Sequence, residues 1–352
     1  MRKLWIIFMV LFPLFGAAQQ AVELKQQKLS KWGIGTANYS GIAPMGGNRY
    51  AVVSDKEPTD GFFVFRIDQN ATTGKVENVY LERFYGNLSP VTDSKGNSVR
   101  DCEGVAFFPL NNTVLIAGEG DQAIKEYRID GSLSGRGLQI PAIFSLQNIV
   151  PNFGFEALSY SPANKLFWTT TESTLPQDGL AAGPAHPHAQ NVLRLQSFRT
   201  DFTPAAQYAY RMDKGKSEDF GAIYVFGVPA ITALPDGRLL VLEREADISR
   251  GYLSSEVICK VFMVDPTNSW QIDSSIDLKT LDPNRFMVKT LIASFKTKYT
   301  PFVHKFANYE GMCLGQKLND GRQTVLLISD SQASFGKGAF RLNDYIKVLI
   351  LP

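Results

Sequence analysis

The chain has 352 residues, 44% of them hydrophobic and 12% aromatic, so it can bury a large core in one or two domains. Its charge is nearly balanced, with 36 basic against 34 acidic residues, and it contains no block of lysine and arginine. This composition argues against a nucleic-acid binder and against a protein that adheres to anionic membrane surfaces.

The first residues have the layout of a secretory signal peptide. Arg2 and Lys3 precede an apolar run that ends at Phe15, and small residues follow it. The apolar run is too short to cross a bilayer comfortably, so we expect no membrane span in the mature chain. We predict a signal peptide at residues 1–18, a single domain at residues 19–352, and a secreted or periplasmic protein.

Five segments of the remaining chain share one layout. A small or acidic residue opens an apolar strand, a turn follows, and a second apolar strand ends in an acid. The opening residues are Ser40, Glu103, Glu156, Pro229 and Glu310. A third strand follows each segment, and four-stranded units repeated in this way predict an all-β fold, a β-propeller of five blades. A propeller of six blades is the alternative if residues 265–301 contain a degenerate unit.

The outer strands of the units complete the predicted ring. The predicted third strands are Phe62 to Ile67, Ile124 to Ile129, Val192 to Phe198, Ile258 to Val264 and Tyr345 to Leu351. The predicted fourth strands are Val76 to Phe84, Ile140 to Leu146, Ala206 to Met212 and Phe286 to Phe295. The fifth unit ends without a fourth strand, and the extended segment from Ala21 to Leu29 belongs to no unit. We expect this N-terminal strand to complete the last blade, which leaves few open sheet edges.

The acids that open first strands and close second strands should meet around one mouth of the propeller. The two strands run antiparallel, so these residues lie at the same edge of each sheet. The predicted set is Glu103, Glu156, Glu310, Asp55, Glu119, Glu172, Glu243 and Asp330. So many carboxylates repel one another unless cations offset them, and oxygen-rich clusters suit Ca²⁺. The alternative is that these acids start turns or pair with basic neighbours such as Lys56 and Arg244.

Other catalytic patterns are weak in this sequence. It contains no G-x-S-x-G motif, so a serine hydrolase of the α/β type has no support. The close pair His186 and His188 lies in a long loop and is better explained by loop composition than by zinc binding. The three cysteines lack C-x-x-C spacing, and a disulfide between Cys259 and Cys313 is left open. The residues alone single out no catalytic group.

The repeats resemble the family named for the esterase-like activity of phytase. The resemblance is carried by SGIA at 40–43 with YAVVSDK at 50–56, DCEGVA at 101–106, NFGFEAL at 152–158, LPDGRLLVLER at 234–244, and NYEGM at 308–312 with LLISD at 326–330. It implies a secreted, phytase-like propeller with hydrolase activity on carboxyl ester or phosphoester bonds. In such a site Ca²⁺ would bind phosphate oxygens and activate water, and Lys56, Arg244 and Arg66 would add substrate contacts.

Two classes of function therefore remain as hypotheses. The first is a metal-assisted hydrolase that acts on a small ester or phosphoester at the central mouth, with a calcium-dependent lactonase-type propeller as a variant. The second is a non-catalytic propeller that uses the same mouth to hold a ligand or a protein partner. Activity that follows added Ca²⁺ and disappears with a chelator would separate them.

Overall fold

The regular secondary structure of the described residues is almost entirely β-strand. The computed structural model describes residues 20–55, 60–87, 91–96, 99–216, 223–248, 255–300, 303–332 and 342–352. The predicted signal peptide and Lys56 lie outside these residues. Helical structure within them consists of short 3₁₀ turns, and none of these helices has the length and apolar character needed to cross a membrane.

The strands follow the predicted repeat. In the first part of the chain they are β1 (Val22–Glu23), β2 (Gln27–Lys28), β3 (Tyr39–Gly46), β4 (Arg49–Ser54), β5 (Asp60–Gln69), β6 (Val76–Asn87), β7 (Cys102–Phe108), β8 (Thr113–Gly118), β9 (Ala123–Arg128) and β10 (Leu133–Gly137). The middle part contains β11 (Phe155–Ser161), β12 (Leu166–Thr171), β13 (Val192–Phe198), β14 (Pro204–Arg211), β15 (Tyr224–Ala233), β16 (Leu239–Asp247), β17 (Glu256–Val264), β18 (Gln271–Ile272) and β19 (Lys289–Thr300). The last part contains β20 (Val303–His304), β21 (Asn308–Lys317), β22 (Gln323–Asp330) and β23 (Tyr345–Ile350).

These strands form five antiparallel sheets, which are the five predicted blades. The first four blades start with β3, β7, β11 and β15, and the fifth contains β21, β22 and β23. The five first strands contact one another in a closed ring around the central axis. The region 265–301 does not form a sixth blade, because β18 extends the edge of the third sheet and β19 is the fourth strand of the fourth sheet.

One predicted strand is placed differently by the structure. The fourth strand of the second blade is β10, whereas residues 142–144 of the predicted strand form a 3₁₀ turn. The apolar signal there comes from Ile143 and Phe144, which are buried in the core between the second and third blades. The real edge strand is more polar and more exposed, so a search for apolar runs passed over it.

The N-terminal segment closes the ring, as predicted. Both β1 and β2 pair antiparallel with β23, the last strand of the chain. The backbone N–H of Leu24 donates to the carbonyl of Val348 at 2.9 Å, and that of Leu29 donates to Asp344 at 3.0 Å. The last blade is thus made from both ends of the chain, and its outer edge is covered.

The hydrophobic core lies in layers between neighbouring blades. In β16, Leu240 and Leu242 pack toward the fifth blade, and Leu239 and Val241 pack toward the third. Because both faces of the inner strands are buried, these strands are continuous apolar runs in the sequence. The three cysteines lie in these layers as free thiols, so Cys259 and Cys313 form no disulfide.

Removal of the closing segment should destabilise the whole ring. A chain that starts at residue 30 loses the pairing to β23 and the buried side chain of Leu29. We expect it to lose at least the roughly 2–5 kcal/mol that truncating one buried leucine costs. Thermal or urea unfolding measures the change, and a chain that starts at residue 19 is the control. Equal stability of the two chains would contradict closure by this segment.

Candidate functional site

Every first strand contains a β-bulge at its predicted opening residue. The regular register is interrupted between Tyr39 and Gly41, Cys102 and Val105, Phe155 and Ala157, Gly227 and Ala230, and Tyr309 and Gly311. A bulge re-aims a side chain and is frequent beside functional sites. In three blades the bulge contains the predicted glutamate. The repeated acid therefore sits at a repeated break in the backbone pattern.

Glycines next to the bulges let neighbouring first strands approach each other closely. A Cβ atom on Gly104 would lie 2.4 Å from the carbonyl oxygen of Glu156, and one on Gly41 would lie 2.3 Å from that of Glu103. Real side chains do not tolerate such distances to backbone atoms. The Glu-Gly pairs of the sequence thus have a packing cause, and the same packing brings the carboxylates of different blades together.

The strand register shows which second-strand residues lie at the same height along the axis as the opening residues of the first strands. The second-strand residues that pair with Ile42, Val105, Leu158, Ile231 and Met312 are Val52, Ile116, Thr169, Val241 and Leu327. Three residues beyond each of these lie Asp55, Glu119, Glu172, Arg244 and Asp330. Together with Ser40, Glu103, Glu156, Pro229 and Glu310, these five residues form what we call the central rim.

The structure therefore places Arg244, and not Glu243, on the central rim. Successive residues of a strand point to opposite faces, so a shift of one position changes the environment completely. Glu243 is buried on the other face, where it accepts hydrogen bonds from the Tyr210 hydroxyl at 2.7 Å and from Lys289 Nζ at 2.6 Å. Burial raises the pKa of Glu243, and Lys289 opposes that rise.

Arg244 joins the acids of the third and fifth blades. Its Nη1 donates to Glu310 at 2.9 Å and to Asn308 at 2.7 Å, and its Nη2 donates to Glu172. Arg244, Glu172 and Glu310 are all buried. The pKa of Glu156 is raised well above its usual range by burial and by Glu172, and Arg244 opposes this rise. This half of the rim thus contains its own positive charge.

The other half of the rim contains a compact set of carboxylates. Oxygen atoms of Asp55, Asp101 and Glu103 all lie within 4.8 Å of one another. Asp55 and Glu103 are buried, whereas Asp101 is partly exposed. Burial raises the pKa of Glu103 well above its usual range, and the charges of Asp55 and Glu156 raise it further. A cation among these oxygens would relieve that repulsion, and three carboxylates fit a hard ion such as Ca²⁺ or Mg²⁺.

A buried arginine fixes the backbone that carries this acidic set. Arg100 Nη1 binds both oxygens of Asp121, at 2.8 and 2.9 Å, and Nη2 donates to the carbonyl of Ile116 at 2.8 Å. The next residue, Asp101, has a left-handed backbone with φ of 47°, and its carbonyl accepts from the N–H of Glu119 at 2.9 Å. Asp101 is a candidate ligand that the pattern of repeated acids missed. Asn38 holds the equivalent place in the first blade, two residues before the opening residue, and its φ is also 47°.

The remaining predicted residues fall in different places. Glu119 is on the rim, where its carboxylate accepts from the N–H of Gly154 at 2.8 Å. Asp330 holds the equivalent rim position and accepts from the N–H of Gln332 at 2.6 Å. Arg66, predicted to contact substrate, lies on β5 and pairs with Glu82 on the outer part of the first blade. The structure thus does not bring Arg66 to the rim.

The two ends of the central axis differ in chemistry. Just inside the rim, beside Glu156 and Glu310, the free space is about 10 Å³, roughly the volume needed to hold one water molecule. At the opposite end a cavity of about 340 Å³ is lined mainly by apolar side chains such as Phe107, Tyr160 and Leu314. Within the described residues, the carboxylates near the axis thus lie at the rim end, and the larger cavity at the other end is mainly apolar.

A methyl group at Gly104 should disturb this arrangement. Gly104→Ala forces the second and third blades apart at the rim, because its Cβ would meet the carbonyl of Glu156. We expect a loss of about 1–3 kcal/mol in unfolding free energy, which thermal denaturation measures. Gly35→Ala is the matched control, since nothing lies within 4 Å of a Cβ at that position. Equal stability of the two variants would refute the close approach of the inner strands.

Known proteins include a family whose model matches most of this chain, and solved structures with low similarity to it. Curated protein sequences include no matching relative. Among solved structures, an endo-arabinase from Bacteroides thetaiotaomicron is 10% identical over 92% of this chain and 96% of its own, with a TM-score of 0.48. The PQQ-bound aldose sugar dehydrogenase from Streptomyces coelicolor is 12% identical over 96% of this chain and 100% of its own, with a TM-score of 0.44. Residues 34–332 match the phytase-like family described as "esterase-like activity of phytase", and the chain belongs to that family.

Proposed function

We propose that this propeller is a metal-assisted ester hydrolase whose reaction takes place at the central rim. The observation that carries the proposal is the approach of the Asp55, Asp101 and Glu103 oxygens to within 4.8 Å of one another. These residues come from two neighbouring blades, and two of them are buried. Membership of the phytase-like family supports the same reaction class.

The chain's own residues would have distinct parts in this chemistry. Asp55, Asp101 and Glu103 would hold a divalent cation, for which we favour Ca²⁺ because all the donors are oxygens. A bound cation would polarise the ester carbonyl or phosphoryl oxygen and lower the pKa of a bound water. Arg100 would keep Asp101 in place through its contacts with Asp121. Asp101 is the most exposed of the three candidate ligands and would face an entering substrate.

The charge of the rim favours an uncharged ester over a polyanionic phosphate ester. Arg244 is the one basic residue among the ten rim positions, and its Nη atoms already bind Glu172, Glu310 and Asn308. A substrate with several phosphates would meet the negative charges of the rim carboxylates. A carboxyl ester or lactone avoids that repulsion. We therefore place neutral esters before phosphoesters as substrates.

Loss of one candidate ligand should abolish metal-dependent turnover. For Asp101→Asn we expect the calcium-stimulated hydrolysis of p-nitrophenyl acetate to fall by about 100-fold or more, since disturbing even outer groups of a metal site costs 10–100-fold. The parent protein should lose the same activity in EGTA and should cleave p-nitrophenyl phosphate more slowly. Initial rates with and without CaCl₂ measure both effects.

The control for this experiment is Asp130→Asn, which changes an acid in an exposed turn. It should hydrolyse the acetate ester at the parent rate. If EGTA leaves the parent's activity unchanged, the metal-assisted reaction is refuted. If the parent binds Ca²⁺ but cleaves none of these esters, a binding propeller becomes the better explanation.

We also propose that the chain is exported and that residues 1–18 are removed. Cleavage after Ala18 would keep Val22–Glu23 and Gln27–Lys28, the strands that close the ring. We expect the protein recovered outside the cytoplasm to begin at Gln19, which mass spectrometry of the intact chain tests. Recovery of the uncleaved chain from the cytoplasm alone would contradict export.

A further inference from the structure

Arg244 occupies a position that is acidic in the other four blades. The register places it at the same level as Asp55, Glu119, Glu172 and Asp330. The fourth blade also has Pro229 where three other blades have a glutamate. This blade therefore contributes no carboxylate to the central rim and supplies the rim's positive charge.

The guanidinium of Arg244 lies between carboxylates of the two neighbouring blades. It binds Glu172 on one side and Glu310, at 2.9 Å, on the other. Its charge also acts on Glu156, whose pKa it lowers against the effects of burial and of Glu172. Three acids from the third and fifth blades thus surround one cationic side chain. A bare cation in that position would meet the same set of oxygen donors.

Burial makes this positive charge necessary. Arg244 is 3% exposed, Glu172 2% and Glu310 8%, so water does little to stabilise their charges. Removal of one partner from a buried ion pair leaves an uncompensated charge that is strongly destabilising. In addition, the Arg244 Nε is buried and has no hydrogen-bond partner within the described part of the chain. The side chain is thus held chiefly by its Nη contacts to the acids.

We propose that Arg244 is a built-in counter-ion that takes the place of a second divalent cation on the central rim. Its replacement by a neutral residue should open a cation site formed by Glu156, Glu172 and Glu310. In the parent protein this half of the rim stays free of metal, and metal binds only among Asp55, Asp101 and Glu103. The metal among Asp55, Asp101 and Glu103 rests on the proposed function, whereas the role of Arg244 does not.

The test is a calcium titration of the full mature chain and its Arg244→Met variant. Methionine keeps much of the side-chain volume and removes the charge. In EGTA, Arg244→Met should melt well below the parent. With CaCl₂ in 100-fold excess over the dissociation constant, its melting temperature should rise by about 5 °C more than that of the parent. Calorimetry should count one more equivalent of bound calcium in the variant than in the parent.

Two further variants keep the proposal open to refutation. Arg238→Met removes an exposed arginine that pairs with Asp236, and it should match the parent in melting temperature and in bound calcium. Glu172→Gln and Glu310→Gln, added to Arg244→Met, remove the charges together. This triple variant should be more stable in EGTA than Arg244→Met and should lose the additional equivalent of calcium.

Three results would overturn the proposal. The first is an Arg244→Met variant that binds no more calcium than the parent, and the second is one that stays unfolded at saturating calcium. The third is a triple variant as unstable as Arg244→Met, because Arg244 would then act through packing and not through charge. A parent protein that binds no calcium would refute the site at Asp55, Asp101 and Glu103. The gain of calcium in Arg244→Met over the parent would still decide the role of Arg244.

Discussion

The close packing of carboxylates around the propeller axis is the constraint on which the rest of the structure depends. Glycines such as Gly104 let the first strands touch, and bulges turn glutamates of separate blades toward one another. Buried like charges are costly because the protein interior screens them far less than water does. The raised pKa values of Glu103 and Glu156 express that cost. Any stable form of the ring must offset it with positive charge or with protons.

The two halves of the ring offset the repulsion between the rim carboxylates in different ways. On the side of the fourth blade, Arg244 neutralises two acids and so links the third and fifth blades through the fourth. In the first blade, Ser40 replaces the glutamate and donates to the carbonyl of Cys102 at 2.8 Å, which links two blades without adding charge. The repeated backbone keeps equivalent positions in place, so single residues can change the charge locally. The same fold thus has one half stabilised by an ion pair and one half rich in carboxylates.

The fold was largely predictable from the sequence, because buried first and second strands are apolar runs at regular intervals. The N-terminal closure followed from a missing strand in the last unit. The site was less predictable. Glu243 and Arg244 are adjacent, and only the register of β15 and β16 shows which of them lies on the central rim. That register depends on a bulge with no clear sequence signal. Asp101 became visible only when the structure placed its oxygen within 4.8 Å of those of Asp55 and Glu103. The edge strand β10 was missed because it buries few side chains.

The asymmetry of the rim also connects stability with function. The ion pairs of Arg244 tie the third, fourth and fifth blades together on one side of the ring. The carboxylates of Asp55 and Glu103 belong to the first and second blades, and a metal ion shared between them would tie those two blades in the same way. Binding of that ion would then stabilise the native ring by mass action. With Arg244 in the role that we propose, this dependence would be confined to one half of the rim, and the ring would fold before metal binds while keeping carboxylates for the proposed hydrolysis.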